Sequence, residues 1–165
     1  MDIGRQHEAI RRGSSDCLRG WFMYLCVKGL GVYLVAKTKT IAALVNDAAA
    51  ILQRIVRIKA ADDNGYASCV TCGVTRHWKE LQGGHFISRV FTAHKLCVEN
   101  IHPQCPGCNG PRRGNLTAYT LYMIDMYGRD FVDELEATKG ATRKYSRPEI
   151  LDVIAELKAQ EKELC

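Results

Sequence analysis

Apolar residues recur with a period near 3.6 between Thr40 and about Ala61, and charged or polar residues separate them. This spacing predicts an amphipathic helix, for which Thr40 or Thr38 is a suitable N-cap because its hydroxyl accepts a hydrogen bond from the first turn. The Asp-Asp-Asn-Gly sequence at 62–65 is typical of a turn and ends the helix. The apolar positions are Ile41, Leu44, Val45, Ala48, Ile51, Leu52, Ile55, Val56 and Ile58.

Three shorter extended stretches follow the helix, at residues 78–81, 85–87 and 100–104. They predict a small β-hairpin in which Gly83 and Gly84 supply the bend. Pro103 has no backbone N–H, and it therefore assigns the last stretch to an edge strand.

The C-terminal third of the chain is predicted to be helical. One helix begins at Asn115 or Thr117 and ends at Gly128, and one or two further helical turns cover residues 131–137. A Ser-x-x-Glu capping box at 146–149, with a proline in the first turn, begins the last helix. Helices around a small hairpin make this an α+β protein.

The first 34 residues differ from the rest of the chain. A basic start precedes an apolar run from Trp21 to Ala36, which Lys28 interrupts. This run is shorter than the ~20 residues that span a bilayer, and no small-x-small cleavage site follows it. We therefore expect no membrane segment. An alternative is that translation begins at Val35, with residues 1–34 as an extension upstream of a domain at 35–165.

The composition suits a single globular domain, with 165 residues, of which 47% are apolar. Eight cysteines raise the question of a secreted disulfide scaffold. Four of them form two Cys-x-x-Cys pairs, and the others show no pairing pattern: Cys17, Cys26, Cys97 and Cys165. A reducing compartment is the better expectation, so we predict a cytoplasmic protein.

The formal charge of +5 is unevenly distributed. Residues 76–113 contain six basic side chains, a second basic cluster lies at 139–147, and the segment between them is acidic. Either cluster alone is compatible with solvated loops. Basic charge concentrated around the cysteine pairs favours a polyanionic partner.

The two Cys-x-x-Cys pairs consist of Cys69 with Cys72 and Cys105 with Cys108. Together they supply four thiolates to one tetrahedral zinc ion and leave no open position, so this zinc is predicted to be structural. A redox dithiol is the weaker alternative, because two copies occur and no βαβ pattern surrounds them. His85 lies between the pairs, after two glycines and before an apolar Phe-Ile, and this context distinguishes it from an ordinary structural histidine.

Four motifs carry a resemblance to a known family. They are Cys-Val-Thr-Cys-Gly at 69–73, Gly-Gly-His-Phe at 83–86, Glu-Asn-Ile-His-Pro-Gln-Cys-Pro-Gly-Cys-Asn at 99–109 and Gly-Asn-Leu-Thr-Ala-Tyr at 114–119. Over roughly residues 50 to 160 the chain resembles the phage NinG (Rap) recombination proteins, among the zinc-braced HNH (ββα-metal) nucleases. The first 34 residues lie outside this resemblance.

The resemblance implies a zinc-stabilised ββα-metal (HNH) core at about residues 66–128, with flanking α-helices. It also implies a structure-specific endonuclease of phage recombination, which hydrolyses phosphodiesters in branched double-stranded DNA such as Holliday junctions and D-loops. The host cytoplasm is the expected location. Resolving a four-way junction takes two cuts, so a homodimer is expected, and recombination proteins are candidate partners.

The resemblance also implies roles for individual residues. His85 is the general base, Asn100 pins the loop or orients His85, and Asn109 ligates a catalytic Mg²⁺ or Mn²⁺. His102 shares a strand face with Asn100, as a second metal ligand, a phosphate contact or a structural histidine. A plain turn residue at 100 and a helix cap at 109 are the simpler alternatives.

One position departs from many HNH nucleases, which have an acidic metal ligand immediately before the base. Here that position is Gly84. Either His102, Glu80 or Glu99 supplies a ligand instead, or the cation is held weakly between protein and phosphate.

Basic residues near the motifs are predicted to contact phosphates, which gives affinity without sequence readout. They are Lys79, Arg89, Arg112 and Arg113. Two other functions stay open: a zinc-dependent DNA-binding recombination accessory protein that does not cleave, and an HNH nuclease of restriction, homing or packaging. The latter needs a sequence-reading element, and the sequence indicates no separate one.

Overall fold

The computed structural model describes residues 38–164. The expectations for residues 1–34, for the apolar run up to Ala36 and for a start at Val35 lie outside this part of the chain. No helix within residues 38–164 is long and apolar enough to cross a membrane. The helices are α1 (Ile41–Lys59), α2 (Pro106–Asn109), α3 (Leu116–Tyr127), α4 (Arg129–Ala137) and α5 (Arg147–Glu163), and the strands are β1 (Tyr66–Ser68), β2 (Thr75–His77), β3 (Gln82–His85) and β4 (Ile101–Gln104).

Helix α1 confirms the amphipathic helix that the apolar spacing predicts. Of the two candidate caps, Thr40 is the N-cap, because its Oγ1 accepts a hydrogen bond of 3.2 Å from the backbone N–H of Ala43. The turn after the helix forms as expected, since Asp62 Oδ1 accepts hydrogen bonds from the backbone N–H groups of Asn64 and Tyr66. The helix itself ends at Lys59.

The strands form two separate antiparallel pairs, β1 with β2 and β3 with β4. In the second pair, Gly84 lies opposite His102 and His85 lies opposite Ile101. Each sheet has only two strands, so Pro103 of β4 lies in an edge strand, as predicted.

The predicted bend at Gly83 and Gly84 is wrong, because both glycines lie inside β3. The strand predicted at residues 78–81 is also wrong, since Trp78–Glu80 is a short 3₁₀ helix. At both positions glycine is required because neighbouring side chains occupy the space that a Cβ would fill, and not because the chain turns there. A Cβ on Gly83 would lie 2.7 Å from Cβ of Gln53, and one on Gly84 would lie 2.7 Å from Cδ of Gln104.

The C-terminal helices follow their sequence signals. Asn115 is the N-cap of α3, which ends at Gly128 with a positive φ of 85°. The next helix, α4, begins at Arg129, slightly earlier than predicted. The capping box of α5 is confirmed, because Ser146 Oγ accepts from the N–H of Glu149 and the Glu149 carboxylate accepts from the N–H of Ser146.

Two apolar clusters lie on either side of the β3–β4 pair. In the first, α1 packs on α5 and on β4 through Ile101. In the second, α3 and α4 pack on Phe86 and Ile87, which directly follow β3. The strand that ends at His85 is therefore supported from both sides, which fixes the backbone of the candidate site.

Candidate functional site

The four paired cysteines form one compact cluster. The Sγ atoms of Cys69, Cys72, Cys105 and Cys108 all lie within 4.8 Å of one another, as a tetrahedral metal site requires. The first pair lies in the turn between β1 and β2, where Gly73 has a positive φ of 74°. In the second pair, Cys105 is the N-cap of α2 and Cys108 lies within that helix. The cluster therefore joins a hairpin to a helix from a distant part of the sequence.

The pKa values of two thiols in the cluster shift in opposite directions, that of Cys69 downwards and that of Cys72 upwards. Burial raises the pKa of Cys69, but hydrogen bonds from the Thr71 hydroxyl and from backbone amides outweigh it and lower that pKa to about 6. A backbone hydrogen bond at Val74 lowers the pKa of Cys72, but burial and the neighbouring sulfur atoms raise it to about 12. One thiolate thus opposes ionisation of the next, and a bound cation relieves that repulsion.

Arg112 lies beside this cluster. Its Nη1 is 4.0 Å from Sγ of Cys108 and points its hydrogen at the sulfur. A tetrahedral zinc with four thiolates carries a charge of −2, and a guanidinium reduces it. Arg112 therefore has a partner in the cluster, beyond the phosphate contact predicted from sequence.

An open cleft of about 760 Å³ brings together His85, Asn109, Arg89 and Arg113. Among the described residues, the other predicted site residues do not line it: Lys79, Asn100, His102 and Arg112. Two basic side chains that were not predicted as phosphate contacts also line the cleft, namely Arg57 and Lys139, the latter from the second basic cluster. The cleft is thus strongly basic around the histidine.

His85 lies at the end of β3 and is half-buried. Its Nε2 is 3.2 Å from the backbone oxygen of Lys95. A carbonyl oxygen only accepts, so Nε2 carries the hydrogen, and Nδ1 of the neutral ring keeps its lone pair. Burial lowers the pKa of His85 and the charges of Arg89 and Lys95 add to this effect, while backbone hydrogen bonds to Lys95 and Gly83 oppose it. The ring is therefore neutral at physiological pH and able to accept a proton.

Asn100 is fully buried and fixes the segment that follows β3. Its Oδ1 accepts from the N–H of Ile87 at 2.7 Å, and its Nδ2 donates to the carbonyl oxygens of Ile87 and His94, both at 2.9 Å. These bonds close a loop that contains Arg89 and ends next to the Lys95 carbonyl. Asn100 thus makes the contacts expected of a loop pin.

The same loop docks on the segment after α4. His94 Nε2 donates to the carbonyl of Thr138 at 2.9 Å, and the Thr92 hydroxyl exchanges hydrogen bonds with the backbone of Arg143. These contacts join the two basic clusters of the sequence, which the acidic segment separates along the chain. Lys139, which directly follows Thr138, lies next to this docked loop and lines the cleft.

His102 lies in a buried tyrosine network instead of in the cleft. The hydroxyl of Tyr119 donates to the carbonyl of Gly84 at 2.9 Å and accepts from Nδ1 of His102 at 3.0 Å. His102 Nε2 then accepts from the hydroxyl of Tyr127 at 3.0 Å. Both ring nitrogens are engaged, so these contacts match the structural alternative for His102.

The predicted acidic ligands also lie elsewhere. Glu80 pairs with Arg76 at 3.4 Å, and the Glu99 carboxylate accepts from the thiol of Cys97 at 3.2 Å. Neither lines the cleft. Asn109 is the last residue of α2, whose N-cap is Cys105, so the helix-cap alternative for Asn109 is wrong.

We expect His102 to make the protein sensitive to mild acid. Burial lowers its pKa to about 4 from an ordinary 6.5, so the unfolded chain takes up a proton that the folded chain refuses. His102 therefore does not lower the free energy of unfolding above pH 6.5. As the pH falls towards about 4, that free energy decreases, by about 2 kcal/mol between pH 6.5 and 5. Urea unfolding of the wild type and His102→Gln across this range measures it. An identical pH slope in the two proteins would contradict the prediction.

Sequence reasoning missed Arg57 and Gln82. Arg57 appeared only as a polar position of the amphipathic helix, yet its guanidinium donates to the carbonyls of Gln53, Leu81 and Trp78 at the edge of the cleft. The available signal was its place in the last turn of α1. Gln82 carries no charge, and it directly precedes the Gly83-Gly84 pair that was predicted to be a bend, so nothing in the sequence marked it as a site residue.

Comparisons with known proteins identify the family. The family model described as Bacteriophage Lambda NinG protein matches residues 34–165. Protein ninG of Escherichia phage 933W and that of Escherichia phage lambda are each 32% identical over 76 residues, which is 46% of this chain and 37% of each relative. Protein ninG of Salmonella phage P22 is 33% identical over 70 residues, which is 42% of this chain and 34% of the relative.

The match thus covers little more than a third of the length of these relatives. No solved structure matches the chain. The family model, however, extends over the whole described part of the chain, including both cysteine pairs and the cleft. The resemblance drawn from the motifs is therefore confirmed at the level of the family: the chain belongs to the bacteriophage NinG family.

Proposed function

We propose that the chain is a metal-dependent endonuclease of the HNH type that hydrolyses phosphodiesters in branched DNA. The observation that supports this function best is a neutral histidine in a basic cleft, with its Nε2–H bonded to a backbone carbonyl so that Nδ1 keeps its lone pair. The order of elements agrees with it, since an antiparallel strand pair, with His85 at the end of the first strand, is followed directly by the helix that carries Asn109.

In this mechanism, His85 Nδ1 takes a proton from the water that attacks phosphorus. Its Nε2–H bond to the Lys95 carbonyl fixes the tautomer and the ring orientation, and it stabilises the imidazolium that forms. Asn100 acts indirectly, because it fixes the loop that leads to that carbonyl. The cleavage rate should therefore increase with pH as His85 loses its proton. Because the pKa of His85 is lowered, the rate should already reach its plateau before neutral pH.

The arginines of the cleft bind the phosphate backbone. Arg89 and Arg113 are exposed side chains on two different loops of the cleft. The guanidinium of Arg57 is held by backbone carbonyls, and no carboxylate of the described residues pairs with it. Phosphate contacts of this kind give affinity without base readout. Recognition of a branched shape, instead of a sequence, is the specificity that such a surface supports.

A divalent cation fits the chemistry of the donors near His85. Asn109 presents a side-chain oxygen, which suits a hard cation such as Mg²⁺ or Mn²⁺. When bound, the cation supplies positive charge for the leaving oxygen of the cleaved bond. The structural zinc has a separate role, since the four cysteines fill its coordination.

A non-catalytic DNA-binding accessory protein is the second candidate, and Gly84 is the observation that favours it. The acidic ligand of many HNH nucleases is absent at this position. The cleft contains one carboxylate among its lining residues, Glu136, and Lys139 pairs with it at 3.0 Å. A cleft with arginines and no strong metal site binds DNA without cutting it.

A His85→Ala substitution separates the two functions. We expect the zinc-loaded protein to cut a synthetic four-way junction in Mg²⁺ or Mn²⁺ but not in EDTA, and the variant to lose about 10²- to 10⁴-fold in rate because its general base is missing. His77→Ala is the matched control, because His77 lies on β2 outside the cleft. Denaturing gels of the end-labelled junction give the rates.

Three outcomes are informative. Metal-dependent cleavage of the junction that is lost only in His85→Ala supports the nuclease. Binding without cleavage by any of the proteins supports the accessory function instead. Equal cleavage of a matched linear duplex would contradict structure specificity and would favour an HNH nuclease of restriction, homing or packaging.

A further inference from the structure

Two amide side chains meet in the cleft beside His85. Asn109 Nδ2 donates a hydrogen bond of 2.7 Å to Oε1 of Gln82. Gln82 is the first residue of β3 and Asn109 is the last residue of α2, and both line the cleft. The pair thus connects the strand of the candidate base to the helix that follows the second cysteine pair.

Rigid elements determine where these two side chains start. Gln82 pairs with Gln104 in the β3–β4 register. Asn109 follows Cys108, and its N–H bonds to the carbonyl of Cys105 at 3.0 Å. The cysteine cluster therefore fixes one partner and the sheet fixes the other, so the approach of the two amides is built into the fold.

We propose that Gln82 and Asn109 together form a binding site for one divalent cation of the Mg²⁺ or Mn²⁺ class, with Gln82 as the ligand that replaces the missing acid. This inference rests on the proposed function, because the cation is the one that the nuclease requires. Side-chain amide oxygens are hard ligands suited to such ions.

The spacing of the two amides agrees with this role. Rotation of the Asn109 amide by 180° exchanges its nitrogen and oxygen atoms and leaves two oxygens facing each other at about the present Nδ2 to Oε1 separation. Two oxygens this close repel each other unless a cation lies between them. Neighbouring oxygen ligands of an octahedral Mg²⁺ are about 2.9 Å apart, since each lies about 2.0–2.1 Å from the ion.

The site also has a suitable relation to His85. Gln82 and His85 lie three positions apart on β3, which corresponds to about 10 Å between their Cα atoms. Their side chains leave opposite faces of the strand, yet both line the cleft, so we place the phosphate at the edge of β3, with the base on one side and the cation on the other. Because both amides are neutral, they hold the cation weakly until phosphate oxygens of DNA complete its coordination.

The test is Mn²⁺ binding to the zinc-loaded full chain without DNA, followed by electron paramagnetic resonance of the free ion. Gln82→Glu adds a carboxylate with the same shape, and Gln82→Leu removes the oxygen. Gln53→Glu is the matched control, because Gln53 also lines the cleft but lies on α1. Gln82 is exposed, so neither change at this position disturbs the core.

We expect Gln82→Glu to lower the Kd for Mn²⁺ about tenfold or more, since affinity increases with the charge of the ligands. Gln53→Glu should leave the Kd within about twofold, and Gln82→Leu should weaken or abolish binding. Equal tightening by both Glu variants would overturn the proposal, because it would indicate a general charge effect. No tightening by Gln82→Glu would overturn it as well.

Junction cleavage by the same proteins separates this inference from the proposed function. If the wild type cuts DNA but the Kd for Mn²⁺ is the same in the residue 82 variants as in the wild type, the amide site is wrong and the nuclease stands. If Mn²⁺ affinity responds as expected but no protein cuts the junction, the cation site stands and the nuclease is wrong.

Discussion

If the four-cysteine cluster holds a structural zinc, as predicted, removal of that metal is expected to unfold the centre of the protein. A structural zinc contributes about 10–16 kcal/mol of apparent binding free energy to a zinc-finger peptide, and a domain is stable by only about 5–15 kcal/mol. Three of the four cysteines are buried, so without the cation they leave mutually repelling sulfur atoms in a small core. That core contains little else: Ala67, Leu81 and the partly buried Ala61.

A single substitution gives the sharpest form of this experiment. Cys72 is the exposed member of the cluster, so Cys72→Ser removes a ligand without creating a cavity. We expect the variant to lose stoichiometric zinc and most of its cooperative thermal transition, followed by circular dichroism. Cys97→Ser is the control, because Cys97 lies outside the cluster and bonds to Glu99. If Cys72→Ser keeps the wild-type Tm, the metal is not structural.

The helices were the most predictable part of the fold. Their signals are local: an apolar period of 3.6 for α1, a capping box for α5 and a terminal glycine for α3. The cysteine cluster was predictable for a related reason, because ligand type and pair spacing determine which metal geometry is attainable. In these elements the sequence alone contains the physical cause.

The cleft was predictable only in part, because its shape depends on contacts between distant residues. The Gly83-Gly84 pair shows the difficulty, since two adjacent glycines usually indicate a turn, whereas here Gln53 and Gln104 occupy the space where their side chains would lie. Arg57 enters the cleft through carbonyls of a 3₁₀ turn that the sequence did not indicate. His102 was placed on the correct strand, but only tertiary packing shows that two tyrosines use both of its nitrogens.

Gly84→Asp is expected to destabilise the protein by about 4 kcal/mol or more, although it restores the acidic residue of many HNH nucleases. A Cβ at residue 84 would overlap Oε1 of Gln104 and would lie 2.7 Å from its Cδ. Gln104 is fully buried, and its Nε2 donates to the Gly114 carbonyl at 2.7 Å and to the Thr71 hydroxyl at 3.2 Å. Moving Gln104 aside therefore breaks both bonds, and the new carboxylate is buried against an amide oxygen that has no partner among the described residues.

Urea unfolding of Gly84→Asp, Gly84→Ala and Gly140→Asp measures this effect. Gly140 lies in the loop after α4 with no atom within 4 Å of a new Cβ, so its substitution should cost less than about 1 kcal/mol. Gly84→Ala should already be destabilising, which separates the steric effect from the charge. A Gly84→Asp protein that folds normally and binds Mn²⁺ more tightly would contradict this account. Failure to fold means that packing excludes an acid at residue 84, so the ligands of any catalytic cation have to come from elsewhere in the cleft.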